Sequence, residues 1–118
     1  MFVLSCLFNF GGLFKSDASE VLMPGESEVD YLERNRTFEE RKVTAYHEAG
    51  HVLLSILKPS FTEVDEVTIK YDGKQLGHVT NVVPKEVVSI SKERLENAAM
   101  EDLAGRAAEE IVFGFMDE

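Results

Sequence analysis

Apolar residues recur every three or four positions between residues 38 and 57, the spacing that places them on one face of an α-helix. The segment TFEE at residues 37–40 fits a capping box, in which Thr37 caps the first turn and Glu40 returns the hydrogen bond. Pro59 ends the pattern, because proline cannot continue a helix. The sequence therefore predicts a long helix between Thr37 and Pro59.

The apolar period shortens to two between residues 61 and 83, as expected for β-strands. Two strands are predicted, over residues 64–71 and residues 76–82. The segment DGK at residues 72–74 predicts a tight turn between them. This part of the chain is therefore predicted to form a β-hairpin.

A second helical pattern begins at Ser91, a residue type that caps helices, and ends at Gly114. Small residues follow one side of it and would let another helix approach closely: Ala98, Ala99, Gly105, Ala107 and Ala108. Together the patterns predict an α+β fold that is mostly helical, with two packed helices and a β-hairpin between them.

The first 36 residues are predicted to lie outside the main domain, which we place at residues 37–118. Residues 1–14 are very apolar, but no Lys or Arg precedes them, and the run is shorter than the ~20 residues of a membrane span. Three interpretations stay open: a strand or helix docked on the core, which we favour; a segment on a membrane surface; or a remnant of a longer segment. Residues 15–36 are predicted to form an acidic connector, with a short helical turn around residues 29–32.

The chain has 118 residues and a formal net charge of −10. An acidic chain repels phosphate backbones, so nucleic-acid binding is not expected. The single cysteine, Cys6, excludes an internal disulfide, which fits a reducing compartment. We therefore expect a cytoplasmic protein, with membrane association through residues 1–14 left open.

The first predicted helix contains HEAGH at residues 47–51. Each helical residue turns the chain by ~100°, so His47 and His51 point the same way and can bind one zinc ion. Glu48 lies beside them, where a carboxylate can act as the base for zinc-activated water. The alternative is an amphipathic helix that carries two histidines on its polar face. Gly50 costs a helix about 1 kcal/mol relative to alanine, which indicates either a close approach by another element or a tolerated glycine.

Three segments, in this order, resemble the peptidase domain of the FtsH-type ATP-dependent zinc metalloproteases. They are VTAYHEAGH at residues 43–51, VTI at residues 67–69 with LGHVT at residues 76–80, and LAGRAAEEIVFG at residues 103–114. The resemblance covers residues 37–114. It implies that His47 and His51 bind Zn²⁺ and that Glu48 is the general base.

The resemblance also implies two features that we expect this chain to lack. One is an ATPase module, since no G-x-x-x-x-G-K-[ST] phosphate-binding loop is present. The other is an aspartate zinc ligand beyond Gly114, so the domain is expected to be incomplete at its C terminus. Four residues are candidates for the third ligand within the chain: Glu109, which is favoured, Asp102, Glu101 and His78. The alternative role for Glu109 is to orient an imidazole.

The predicted function is that of a zinc-dependent metalloendopeptidase acting on unfolded proteins or peptides. An edge strand of the hairpin could hold such a substrate by main-chain pairing. Open apolar surface predicts a homo-oligomer or another protein partner. The resemblance to FtsH-type proteases implies that this partner could be a separate ATPase subunit. Two alternatives remain: a non-catalytic module that acts through protein–protein interaction, and a fragment of a longer protein.

Overall fold

The computed structural model describes residues 2–5, 22–87 and 89–114, with residues 2–5 described through their backbone. It contains three helices and one antiparallel sheet, which confirms the predicted α+β fold. The elements in chain order are β1 (Phe2–Ser5), α1 (Glu28–Arg34), α2 (Phe38–Leu57), β2 (Glu63–Thr68), β3 (His78–Val82) and α3 (Lys92–Phe113).

Both long helices begin and end where the sequence predicts. In α2 the Thr37 hydroxyl accepts from the Glu40 amide at 3.1 Å, and the Glu40 carboxylate accepts from the Thr37 amide at 3.0 Å. These two bonds satisfy amides that have no partner within the helix. In α3 the Ser91 hydroxyl accepts from the Arg94 amide, and Gly114 closes the helix in the left-handed conformation, with φ of 76°.

The sheet has the order β1-β3-β2, and both strand pairs are antiparallel. Residues 2–5 of the apolar N-terminal segment form β1, which joins the sheet by pairing with β3. The rest of the apolar N-terminal segment lies outside the described residues, and so does the first part of the connector. The predicted helical turn around residues 29–32 is the longer helix α1. No helix in the described ranges has both the length and the apolar character needed to cross a bilayer.

The hairpin strands are shorter than predicted, because β2 ends at Thr68 and β3 begins at His78. The Ile69 carbonyl accepts from the Arg36 guanidinium at 2.5 Å, and the Tyr71 amide donates to the Glu33 carboxylate at 2.9 Å. These main-chain groups bond to side chains at the end of α1 and just beyond it, so they do not continue the ladder. The predicted turn is present: Gly73 has φ of 100°, and the Asp72 carboxylate accepts hydrogen bonds from the Lys74 and Gln75 amides.

The core of the domain is formed where α2 packs against α3 and the sheet. Gly50 of α2 lies directly against α3, where an added Cβ would be 2.5 Å from the Ala104 carbonyl oxygen and 2.8 Å from the Ala108 methyl group. The close approach indicated by this helical glycine is therefore made by α3. The inward face of α2 is largely polar, whereas its large apolar residues Leu53, Ile56 and Leu57 are more than half exposed.

Candidate active site

His47 and His51 lie one turn apart on the inward face of α2, and both are almost fully buried, with 5% and 1% exposure. Their ring centroids are 4.9 Å apart. Both Nε2 atoms point to Gly105 of α3: an added Cβ there would be 2.6 Å from Nε2 of His51 and closer still to Nε2 of His47. The missing side chain of Gly105 therefore leaves space where the two imidazoles converge.

The other nitrogen of each ring is held by α3. Nδ1 of His47 is 2.7 Å from a carboxylate oxygen of the fully buried Glu109. Nδ1 of His51 donates to the main-chain carbonyl of Glu101, with a separation of 2.5 Å. Since both acceptors engage Nδ1, each neutral ring presents the lone pair of Nε2 towards Gly105. Burial lowers the pKa of His51, which favours this neutral form.

Glu48 is 1% exposed, and neither of its carboxylate oxygens has a hydrogen-bond partner among the residues that the structure describes. Burial raises the pKa of Glu48 to about 8, and the negative charge of Glu109 adds to the shift. Gly77 leaves room for the aliphatic part of Glu48, because an added Cβ there would be 3.2 Å from Cγ of Glu48 and 2.8 Å from the Thr68 carbonyl oxygen. A buried carboxyl with this pKa can exchange a proton near neutral pH.

An apolar groove of about 1000 Å³ opens beside Glu48. One wall is α2, the second is the end of β2 with Val67 and Thr68, and the third is the last turns of α3 with Ile111. Among the strands of the described residues, β2 lies at the edge of the sheet and pairs with β3 alone. The groove therefore combines a buried carboxyl with apolar walls and a strand edge, which suits an extended peptide.

The four candidates for a third metal ligand are not brought together at the imidazole pair. Glu109 contacts Nδ1 of His47, on the side of the ring away from Gly105, which is the position of a carboxylate that orients an imidazole. The Glu101 carboxylate accepts from the Ser60 hydroxyl, Asp102 is exposed, and His78 lines a separate small pocket. Across residues 22–87 and 89–114, no three His, Cys, Asp or Glu side chains are grouped to hold one metal ion.

The residues that are present nevertheless fit two of the ligands of a zinc ion. Zinc takes neutral imidazole nitrogens, and its ligating histidines usually donate their other N–H to a carboxylate or carbonyl, as both do here. Gly105 supplies the space between them. The position of Gly105 beside both imidazoles could not be predicted from the sequence, where the stripe of small residues indicated close helix packing alone.

A helix-borne histidine pair with a neighbouring carboxylate is the arrangement typical of zinc peptidases. The chain belongs to peptidase family M41, whose sequence model matches residues 34–117. It is 44% identical over 75 residues to ATP-dependent zinc metalloprotease FtsH 1 of Bdellovibrio bacteriovorus, which covers 64% of this chain and 12% of that protein. It is 44% identical over 79 residues to ATP-dependent zinc metalloprotease FtsH of Buchnera aphidicola subsp. Baizongia pistaciae, which covers 66% of this chain and 13% of that protein. It is 37% identical over 75 residues to ATP-dependent zinc metalloprotease FtsH of Rickettsia typhi, which covers 64% of this chain and 12% of that protein.

The chain thus spans about one eighth of the length of these curated relatives. No solved structure matches it significantly. The resemblance drawn from the sequence motifs is confirmed at the level of the family.

Proposed function

We propose that this domain is a zinc-dependent metalloendopeptidase, in which His47 and His51 are zinc ligands and Glu48 is the general base. One observation carries the proposal. The two Nε2 atoms converge at Gly105, while the unpartnered carboxyl of Glu48 lies beside them in an apolar groove. A purely structural helix would not be expected to bury the Glu48 carboxyl without a partner among the described residues, because an unpaired polar group is costly in an apolar interior.

Zinc, when bound, supplies Lewis-acid polarisation of a peptide carbonyl and lowers the pKa of water. A catalytic site normally uses three protein ligands, and the described residues offer two. We propose that a carboxylate outside the described residues completes the set, in line with the aspartate that the resemblance implies.

Glu48 then performs the proton transfers. Its carboxylate accepts a proton from the attacking water while the water oxygen bonds to the carbonyl carbon of the substrate. The same carboxyl returns that proton to the leaving nitrogen as the C–N bond breaks. Its burial, with 1% exposure, limits the positions that the carboxyl can take and excludes bulk water.

The substrate that suits the groove is an extended segment of an unfolded protein or a peptide. Main-chain pairing to the free edge of β2 would bind it without a strict sequence requirement. The relatives are named ATP-dependent, so we propose that the whole protein works with an ATPase that delivers unfolded chains.

The alternative is a non-catalytic module that acts through protein–protein interaction. One observation favours it: large apolar residues of α2 and α3 outside the groove are exposed, including Leu57 at 63%, Leu95 at 53% and Leu103 at 66%. Such exposure is typical of a surface that another chain covers. Self-association is compatible with both functions. Zinc binding and peptide-bond cleavage are therefore the properties that distinguish them.

Metal content and casein cleavage test the proposed function. The purified chain should carry close to one zinc per chain, and His47→Ala should lose it. His78→Ala removes a histidine from outside the site and serves as the matched control that keeps zinc. Glu48→Gln should keep zinc and lose cleavage. Absence of stoichiometric zinc at neutral pH, or cleavage that survives Glu48→Gln, would refute the proposal.

A further inference from the structure

Arg36 is a cation in the interior of the domain, with a side chain that has no exposed surface. Its Nη1 donates to the Ile69 carbonyl at 2.5 Å and to the Glu33 carboxylate at 2.9 Å, and its Nη2 donates to the Thr44 hydroxyl at 2.9 Å. Thr44 is itself fully buried, and its hydroxyl donates to the Glu40 carbonyl at 3.1 Å. One buried guanidinium therefore joins α1, α2 and the segment that follows β2.

Two of these contacts belong to elements that form different walls of the groove. Ile69 lines the groove but lies beyond the ladder, because the last paired residue of β2 is Thr68. Its carbonyl is held by Arg36 in place of a strand partner. Thr44 precedes Glu48 by one turn on the inward face of α2, the helix that forms another wall. Arg36 therefore connects the two walls.

The spacing around Gly77 shows how closely these walls approach each other. An added Cβ at Gly77 would be 2.8 Å from both the Thr44 methyl group and the Thr68 carbonyl oxygen, and 3.2 Å from Cγ of Glu48. The wall at the end of β2 and the helix that carries Glu48 thus meet where there is no room for a side chain. A shift of this wall changes the width of the groove beside Glu48.

Stability alone does not account for a buried cation at this point. Removing a charge from water is costly, and apolar residues of similar volume often pack as well as a buried ion pair or better. In addition, Nε of Arg36 has no hydrogen-bond partner among the described residues. What an arginine supplies beyond packing is a rigid planar fork, which fixes two acceptors relative to each other.

We propose that Arg36 is a positioning residue, which holds the wall at Ile69 at the distance from α2 that an extended peptide fills. The inference rests on the proposed function, because it assigns the groove to a peptide. A gap of about 0.5–1 Å between packed atoms forfeits a quarter to a half of their contact energy. Breaking the fork should therefore weaken peptide binding roughly tenfold.

Peptide binding to the metal-free chain tests this inference without turnover. The probe is a short fluorescein-labelled peptide rich in Val and Thr, and fluorescence anisotropy gives its Kd. Arg36→Lys keeps a positive charge beside Glu33, but a single ammonium group cannot bridge Ile69 and Thr44 as the fork does, so the Kd should rise roughly tenfold. The matched control is Arg41→Lys. Arg41 also pairs with Glu33, at 2.8 Å, but bonds neither wall contact, so its Kd should stay within about twofold of the parent value.

Two changes at Thr44 separate positioning from stability. Thr44→Val keeps the shape and removes the hydroxyl that accepts from Arg36, whereas Thr44→Ser keeps the hydroxyl and removes a buried methyl group. Both should lower Tm, but Thr44→Val alone should weaken peptide binding. The double variant Arg36→Lys/Thr44→Val should bind no more weakly than the weaker single variant, because both changes break the same bridge.

Equal Kd values for Arg36→Lys and the parent, Kd values that follow Tm across the variants, or no peptide binding by the parent would each overturn the inference. The proposed function is judged separately by zinc content and casein cleavage. Zinc-dependent cleavage with an unchanged Kd in Arg36→Lys removes the inference alone. Binding that depends on Arg36 in a chain that holds no stoichiometric zinc supports the inference and refutes the proposed function.

Discussion

The change Gly50→Ala separates what helix propensity predicts from what packing predicts. Gly50 is buried in the middle of α2. Considered as a helix residue alone, alanine should stabilise the protein by about 1 kcal/mol, because glycine is a poor helix former. In the folded protein, however, the new methyl group would be 2.5 Å from the Ala104 carbonyl oxygen and 2.8 Å from the Ala108 methyl group. Both separations are below van der Waals contact, and one of the atoms belongs to the backbone.

The helices must therefore move apart, and the contacts around the imidazole pair move with them. Overpacking a well-filled interface costs about 1–3 kcal/mol, and two overlaps place Gly50→Ala near the upper end. After the gain of about 1 kcal/mol in helix propensity, the net loss is about 2 kcal/mol. For a domain of this size that loss lowers Tm by roughly 8 °C or more.

Thermal unfolding followed by circular dichroism at 222 nm measures this effect. The matched control is Ala49→Gly, at the adjacent position of the same helix, where the side chain is exposed. The control should be less stable by about 1 kcal/mol and so calibrates helix propensity. A Gly50→Ala protein with an unchanged or higher Tm would show that α3 does not approach α2 as described.

Two further predictions concern the imidazole pair of His47 and His51 and the hydrogen-bond network of Glu33 at the end of α1. Gly105→Ala places a methyl group 2.6 Å from Nε2 of His51. Zinc affinity measured by calorimetric titration should therefore fall by about 100-fold, while the helicity of the protein is retained. An unchanged Kd for zinc would contradict the convergence of the imidazoles. Burial pushes the pKa of Glu33 upward, but hydrogen bonds from the Tyr71 amide, Arg36 and a second arginine outweigh it and hold the pKa below its usual value. Because the folded pKa is the lower one, the stabilisation is complete above the unfolded pKa of about 4.3 and is lost as pH falls through the folded value. Glu33→Gln should therefore be about 3 kcal/mol less stable than the parent at pH 7, since the buried Arg36 guanidinium keeps its hydrogen bonds to Ile69 and Thr44 but loses its ion-pair partner. Urea unfolding should show this difference closing below about pH 4, and a difference independent of pH would contradict the charge assignment.

Element positions could be predicted from the sequence where the determinants are local. The ends of α2 follow from Thr37 and Glu40 at one end and from Pro59 at the other, and the ends of α3 follow from Ser91 and Gly114. Each of these signals acts over three or four residues, through a side chain or a backbone conformation that belongs to the helix end itself. Tertiary contacts leave them unchanged.

The length of the hairpin strands could not be predicted in the same way. Alternation of apolar residues continues to Tyr71, but the ladder stops at Thr68. The reason lies far away in sequence: Arg36 and Glu33 bond the main chain beyond Thr68 and remove it from the sheet. This competition between side chains and a neighbouring strand for the same main-chain groups cannot be predicted until the position of α1 against the hairpin is known.

The sequence by itself determined that α2 is a helix and that two histidines and a glutamate lie on it at the spacing of a zinc site. Only the tertiary structure decided which face of that helix is inside. The buried face carries His47, Glu48 and His51, while Leu53 and Ile56 remain exposed, which reverses the usual burial of apolar side chains. Periodicity reports the direction of a side chain around its own helix, whereas burial depends on what packs there. Here Gly105 and Glu109 of α3 accommodate and orient the imidazoles, and so turn a spacing in the sequence into a site.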